Sequence, residues 1–142
     1  MDNADELLND STREVVLGPV VPLDLGGRGI RDIAWSPAHR AYLIAAGQTD
    51  DDDRGQGFAL FMWDGVRSLR EVRSLQSVLD AHPDFHPEAV VPLLERSGDQ
   101  LVPSARVLVL SDDGTKPLPG GSSCKEASER RKSFRAVIMT VE

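Results

Sequence analysis

The sequence Phe-Ala-Leu-Phe-Met-Trp-Asp-Gly, residues Phe58 to Gly65, is a short apolar run that ends in a turn dipeptide. Asp-Gly directly after such a run is a strong hairpin signal, because these residues adopt the backbone angles of a tight turn. A run of similar length and character, Ala-Tyr-Leu-Ile-Ala-Ala-Gly, occupies residues Ala41 to Gly47. Short apolar runs separated by Gly, Pro and Asp clusters predict antiparallel strands rather than long helices.

The same pattern continues along the chain and predicts nine strands. They are Glu14–Leu17, Val20–Leu25, Ile30–Trp35, Ala41–Ala46, Phe58–Trp63, Leu69–Ser74, Glu88–Leu94, Arg106–Ser111 and Phe134–Val141. Leu75, Val78 and Leu79 are spaced at helical intervals, but over so few residues that we expect at most one short helical turn. The predicted fold class is therefore all-β and mostly antiparallel.

Two stretches, residues 29–75 and 87–141, each have the layout of a propeller blade, in which short strands follow one another antiparallel. Propellers close a ring with typically four or more blades, so two blade-like units predict an incomplete ring. An open sheet edge must be covered, charged or paired. We therefore expect self-association or an open sandwich.

The length of 142 residues suits a single domain with one core. Residues 1–13 contain four acidic residues and only the Leu7-Leu8 pair as large apolar side chains, which predicts a flexible acidic arm. The expected organisation is this arm followed by a single β domain over residues 14–142.

The charge balance of 16 Lys and Arg against 23 Asp and Glu gives a formal net charge of −7, which argues against nucleic acid and anionic membranes as partners. The sequence contains no signal-peptide pattern and no apolar run long enough for a membrane helix, so we expect a cytoplasmic protein. The lone Cys124 is compatible with a reducing compartment. One local exception to the acidic character is a solvated loop or an anion site, formed by Lys125, Arg130, Arg131, Lys132 and Arg135.

Six motifs in a fixed order also carry a family resemblance. They are Leu-Gly-Gly-Arg-Gly-Ile-Arg-Asp-Ile-Ala, Tyr-Leu-Ile-Ala-Ala-Gly, Leu-Phe-Met-Trp-Asp-Gly, Pro-Glu-Ala-Val, Val-Leu-Ser-Asp-Asp-Gly and Phe-Arg-Ala. Over about residues 23–140 the chain resembles the C-terminal part of a bacterial family, the domain of unknown function 3616. Members of that family are usually longer chains. The resemblance implies a propeller-like fold and no assigned activity.

Charged residues on the predicted inner strands are the candidate site. Arg31 and Asp32 lie mid-strand between isoleucines, and because side chains alternate between faces they cannot both enter one apolar layer. Together with Glu88 and Asp112 they define a site in which Asp32, Glu88 and Asp112 hold a hard cation such as calcium or magnesium. The alternative is a structural network of Arg31 with these carboxylates.

Two functions follow from these alternatives. The first is a non-catalytic binding module that associates with another protein or with itself through its sheet edges. The second is a metal-dependent hydrolase of a phosphoester or lactone, in which the cation activates water and Arg31 binds the anion. We expect Asp112 rather than Asp113 to be the ligand, because Asp112 is closer to its strand. The sequence leaves open whether the protein is an enzyme.

Overall fold

The computed structural model describes residues 9, 10, 12, 14–48, 57–129 and 132–142 of the chain. In this part of the chain the strands are β1 (Gly29–Ser36), β2 (Ala41–Gly47), β3 (Ala59–Trp63), β4 (Leu69–Val72), β5 (Pro87–Ser97), β6 (Gln100–Ser111) and β7 (Ala136–Thr140). Helix α1 (Ser74–Ala81) joins β4 to β5, and a 3-10 helix (Cys124–Glu126) precedes β7. The predicted acidic arm, residues 1–13, lies almost wholly outside the described residues. Within those residues, no helix has both the length and the apolar character needed to cross a membrane.

The seven strands form two antiparallel meander sheets. The first sheet has the order β1-β2-β3-β4 and the second has the order β5-β6-β7. Within each sheet, strands that follow one another in the chain are paired, as in a propeller blade. The two sheets do not close into a barrel, and the prediction of an all-β, mostly antiparallel fold is confirmed.

The main hydrophobic core lies between the facing surfaces of the two sheets. Because side chains alternate along a strand, Leu43 and Ala45 of β2 point into this core while Ile44 and Ala46 point away from it. The buried members of this core are Leu43, Ala45, Leu60, Val72, Leu75, Phe85, Val90, Val107, Val109, Met139 and Val141. Both sheets and α1 contribute to that set, so the two predicted blade-like units share one core.

The chain before β1 covers part of the outer face of the first sheet. Leu25 is 5% exposed and packs in a second cluster with Ile44, Ala46, Ala59 and Phe61. Leu23 packs against the same cluster. The chain before β1 therefore lies on the side of the first sheet that faces away from the second sheet.

The first two predicted strands, Glu14–Leu17 and Val20–Leu25, are wrong, because residues 14–25 carry no strand. Of the apolar residues in this stretch, Leu23 and Leu25 at its C-terminal end pack against the first sheet. Pro19 and Pro22 each lack the N–H group that a paired strand needs, which weakens pairing along this stretch.

The second sheet extends further than the sequence predicts, since β5 continues to Ser97 and β6 begins at Gln100. Ser97 pairs with Gln100 across a two-residue turn. Gly98 opens that turn with a φ of 61°, a conformation that favours glycine. Helix α1 is also longer than the single turn predicted, because Leu75 is 1% exposed and anchors eight helical residues to the core.

Candidate functional site

Two of the four predicted site residues lie together where the sheets meet. Arg31 of β1 places its Nη1 3.6 Å from Oε2 of Glu88 on β5. The same guanidinium donates a hydrogen bond to the carbonyl oxygen of Gln48. The side chains of Arg31 and Glu88 are 29% and 44% exposed, and a long, solvated ion pair of this kind contributes at most about 1 kcal/mol.

Asp32 lies beside this pair, but its carboxylate binds the backbone. A register shift between Ile30 and Asp32 leaves Arg31 as the extra residue of a bulge, and Asp32 then pairs with the inward-facing Ala45. Asp32 Oδ2 accepts a hydrogen bond of 2.8 Å from the N–H of Val90 on β5, and Oδ1 accepts one of 2.8 Å from the N–H of Ile33. Asp32 therefore joins the first strand of one sheet to the first strand of the other.

Asp112 is not part of this group. Its Oδ1 accepts a hydrogen bond of 2.8 Å from the N–H of Gly114, and its own N–H donates to the carbonyl of His86. Across the described ranges of the chain, no group of three or more His, Cys, Asp or Glu side chains is arranged to hold a metal ion. The structure thus brings Arg31, Asp32 and Glu88 near one another without assembling Asp32, Glu88 and Asp112 as a cation site.

A denser polar cluster lies at the end of β6, around Asp113, which is 6% exposed. Asp113 Oδ1 accepts hydrogen bonds from Arg135 Nη2 at 2.7 Å and from the Ser111 hydroxyl at 3.0 Å. Asp113 Oδ2 accepts from the Arg135 backbone N–H at 2.9 Å and from its Nε at 3.0 Å. Both carboxylate oxygens accept hydrogen bonds from Arg135, and this contact joins the end of β6 to the start of β7.

The cluster continues from Arg135 to the loop before β5. Arg135 Nη1 lies 2.9 Å from Asp84 Oδ1, and Lys116 Nζ lies 3.2 Å from Asp84 Oδ2. The Arg135 guanidinium holds the pKa of Asp113 below its usual range, and Arg135 followed by Lys116 lowers the pKa of Asp84 to about 2. Asp113 in turn raises the pKa of Arg135. Asp84, Asp113 and Arg135 are therefore charged at neutral pH.

The cluster borders a cavity of about 150 Å³. It is lined by Asp84, His86, Asp112, Asp113, Thr115, Lys116 and Pro117. A nucleophile in such a cavity needs a nearby general base to take its proton, and a general base needs a lone pair that faces the cavity. The Ser111 hydroxyl instead donates to Asp113 and accepts the N–H of His86, while the His86 ring stacks on Phe58 with centroids 5.3 Å apart. The arrangement fastens strands and loops together.

His39 is a further structural residue. Its Nε2 lies 3.1 Å from the carbonyl oxygen of Val141, and its Nδ1 lies 2.7 Å from the hydroxyl of Ser36, which is fully buried. Since a carbonyl oxygen only accepts, Nε2 carries the proton and Nδ1 accepts from Ser36. His39 thus links the β1–β2 turn to the residue that follows β7.

The sequence analysis preferred Asp112 to Asp113 and assigned Arg135 to a solvated loop or an anion site, although a signal for their pairing was present. Side chains at alternate positions of a strand share a face. Val107 and Val109 point inward, and the same count of two leads through Ser111 to Asp113. Counting back by two from the buried Met139 leads through Val137 to Arg135, on the same face as Asp113. Of the five predicted basic residues, Arg130 and Arg131 lie outside the described residues.

The outer face of the second sheet carries an exposed apolar patch. Val91, Leu108 and Ile138 form one row across its three strands, and the neighbouring row contains only Ala and Leu. The patch consists of Ala89, Val91, Leu108, Leu110, Ala136 and Ile138, and it is bordered by the outward-facing, exposed Arg106 and Thr140. Val91 is 42% exposed and Ile138 is 50% exposed. Phe134, just before β7, is 68% exposed.

Fold and site together define an all-β protein of two packed meander sheets. Ion pairs such as Arg31–Glu88 and Arg135–Asp113 connect its strands, and its second sheet has an exposed apolar patch on the outer face. Comparison with protein-family models, with curated proteins and with solved structures finds no match. The resemblance to the domain of unknown function 3616 family stays a prediction from the sequence.

Proposed function

We propose that this chain is a non-catalytic β module that associates with a second copy of itself through the outer face of its second sheet. The observation that carries the proposal is the apolar patch on the second sheet's outer face. The patch consists of six adjacent apolar side chains, of which Val91 is 42% and Ile138 is 50% exposed. Leu23 and Leu25 cover part of the first sheet's outer face, where Ile33 and Trp35 are 45% and 48% exposed. Apolar surface of this kind on a soluble domain marks an interaction site.

The chemistry of the polar clusters also supports binding over catalysis. The hydrolase hypothesis requires Asp32, Glu88 and Asp112 to share a cation, with lone pairs free for it. Both oxygens of Asp32 accept backbone hydrogen bonds, and Asp112 binds the backbone of its own turn. Across the described residues these carboxylates do not converge into a group that could hold calcium or magnesium.

A second copy is the simplest partner for this apolar patch. Two such patches in a symmetric dimer bury the same apolar side chains on both sides, with Arg106 at the border of the patch. The cytoplasmic location that we propose is supported by Cys124, which is buried with its thiol hydrogen-bonded to the carbonyl of Ser133. A buried, reduced thiol of this kind is compatible with a reducing compartment.

The test is the molecular mass in solution by sedimentation velocity from about 1 µM to about 1 mM, a range that brackets typical weak dimers. We expect a mass that rises from monomer to dimer with concentration. Ile138→Asp should shift the transition to at least about tenfold higher concentration, since burying an Ile side chain contributes more than one such factor. The matched control is Val66→Asp, because Val66 is 70% exposed in the β3–β4 turn of the other sheet.

Circular dichroism verifies that both variants stay folded, and Val91→Thr provides a milder change on the same face should Ile138→Asp unfold. A chain that stays monomeric at the highest concentration would refute the proposal. Equal weakening by Ile138→Asp and Val66→Asp would place the interface elsewhere.

A further inference from the structure

Every tryptophan and tyrosine of the chain lies in one row on the outer face of the first sheet. The sequence contains two Trp and one Tyr, and strand pairing puts Trp35 beside Tyr42 and Tyr42 beside Trp63. The row faces outward because Tyr42 alternates with Leu43, which points into the main core. We call these three side chains the aromatic row. Trp and Tyr are the side chains most enriched among the anchors of binding interfaces.

The aromatic row is open to solvent at one end and borders a groove at the other. Trp35 is 48% exposed. Next to Trp63 lies a cavity of about 510 Å³, with residues 21–24 on one side and Arg67 and Leu69 on the other. Ligand pockets have volumes of about 300–1,000 Å³. The first sheet therefore presents an aromatic surface that continues into a groove of ligand-binding size.

The spacing and tilt of the rings suit a polyproline II helix. The ring planes of Trp35 and Tyr42 meet at 65° with centroids 5.1 Å apart, and those of Tyr42 and Trp63 meet at 32° with centroids 5.4 Å apart. Proline-rich segments dock in aromatic-lined grooves of this kind. Prolines three residues apart in polyproline II are separated by roughly 9 Å. Trp35 and Trp63 are two strand spacings apart, roughly 10 Å, so two such prolines match the two ends of the row.

The polar groups of the groove also suit a proline-rich ligand, because they are mainly donors. Trp63 Nε1 is buried and has no hydrogen-bond partner in the part of the chain that the structure describes. An indole N–H only donates, and the exposed Arg67 adds further donors. Asp24 accepts the N–H of Gly26 within its own turn. Proline has no N–H, and polyproline II leaves its carbonyl oxygens free, so such a ligand supplies the acceptors that these donors need.

Two arginines lie at the end of the sheet that carries the aromatic row. Arg40 directly precedes β2, and Arg67 lies in the β3–β4 turn. Asp64 belongs to the same turn, where its Oδ1 accepts the backbone N–H groups of Val66 and Arg67. Arginine is the cation best suited to pairing with a carboxylate. These positions favour a ligand with an acidic residue beside its prolines.

We infer that the aromatic row and its groove bind a proline-rich segment of another protein, in the polyproline II conformation and with an adjacent acidic residue. One proline packs against Trp35 and Tyr42, and a second, three residues away, packs against Trp63. The indole N–H of Trp63 donates to a ligand carbonyl once the groove walls move apart, and the acidic residue pairs with Arg67. The site lies on the sheet that the proposed self-association leaves uncovered, so the two proposals can fail separately.

The first experiment titrates the full chain with a synthetic peptide of seven prolines followed by Asp-Glu. Because both tryptophans belong to the row, the whole tryptophan fluorescence reports on this site. We expect a saturable change with a dissociation constant below about 1 mM, confirmed by calorimetry. A Gly-Ser peptide with the same Asp-Glu end should give no change. No fluorescence change and no heat at about 1 mM proline peptide would overturn the inference, as would binding of a β-1,4-linked glucose hexamer in place of the peptide.

The second experiment locates the site with variants whose folding is verified by circular dichroism. Trp35→Ala should raise the peptide dissociation constant about tenfold or more, since aromatic anchors contribute at least that factor. The matched control is Phe134→Ala, because Phe134 is a 68% exposed aromatic residue just before β7 of the other sheet, and it should change the constant by less than about threefold. Trp35→Leu is the milder change should Trp35→Ala unfold. Equal weakening by the Trp35 and Phe134 variants would refute the site.

The acidic residue of the ligand is tested by charge reversal. Arg67→Glu should weaken binding of the Asp-Glu peptide several-fold more than binding of a peptide ending in Ser-Ser, and added salt should reduce that difference. Equal effects on the two peptides would overturn the pairing with Arg67. Peptide binding by a chain that stays monomeric would support this inference while refuting the proposed self-association, and the reverse result would do the opposite.

Discussion

Removal of the Asp113 carboxylate should destabilise the protein more than any other single change in its polar clusters. Asp113 is 6% exposed and accepts hydrogen bonds from Arg135 and Ser111. Asp113→Ala leaves the Arg135 guanidinium with Asp84 as its remaining carboxylate, and because Arg135 is 29% exposed we expect a loss near the lower end of the about 3–5 kcal/mol that breaking a buried pair costs. A domain of this size has a free energy of unfolding of about 5–15 kcal/mol, so the loss is a large fraction of the total.

Urea denaturation followed by circular dichroism measures this loss. With a slope of about 2 kcal/mol per molar urea, the midpoint of Asp113→Ala should fall by about 1.5 M. The adjacent Asp112→Ala is the matched control, because Asp112 is exposed and binds only Gly114 through its side chain, which is worth about 0.5–1.5 kcal/mol. Asp113→Ala combined with Arg135→Met should lose less than the sum of the two single changes. Equal midpoints for the two alanine variants would refute the view that Asp113 fastens β6 to β7.

Two further predictions concern acid and cations. Asp84 and Asp113 have lower pKa values in the folded protein than in the unfolded chain, so their stabilisation is complete above about pH 4 and is lost as the pH falls towards 2. Urea midpoints should therefore decline over that window, and Asp84→Asn should make the decline shallower; an unchanged slope would contradict the assignment. Millimolar calcium should leave the melting temperature unchanged, and Asp32→Ala should destabilise by about 1–3 kcal/mol while Glu88→Ala changes stability by less than about 1 kcal/mol. A calcium-dependent rise in melting temperature that Glu88→Ala removes would favour the hydrolase hypothesis instead.

The strands of the core could be predicted because their apolar alternation is set by the sheet itself. The predicted Ala41–Ala46 matches β2 almost residue for residue, since every side chain of that strand is at least half buried and each alternate one faces a defined core. The stretch Glu14–Leu17 is also mostly apolar but forms no strand, because composition does not show which partner a segment meets. Pairing depends on residues distant in sequence, and a single sequence does not record them.

The candidate site could be predicted only in part, for a reason of geometry. Proximity of Arg31, Asp32 and Glu88 follows from the blade-like layout, which brings the first strand of each sheet to the same junction. The sequence favours Asp112 over Asp113 as the site residue because Asp112 is closer to its strand. Burial of either side chain depends instead on which face of the strand it continues. The alternation that continues through Ser111 points to Asp113, and the structure buries that residue.

The hydrogen-bond partners of the carboxylates in this protein favour the binding hypothesis over the catalytic one. A catalytic carboxylate must keep a lone pair for a proton, a cation or a substrate. The oxygens of Asp32 and Asp113 instead accept backbone N–H, hydroxyl and guanidinium donors that hold strands together. The exposed apolar surface around Ile138 has the opposite property, since its removal from water is favourable and lacks a counterpart among the described residues. The proposed association of two chains would cover that surface without disturbing any polar cluster, whereas metal-dependent hydrolysis needs Asp32, Glu88 and Asp112 to converge, an arrangement that the described residues do not show.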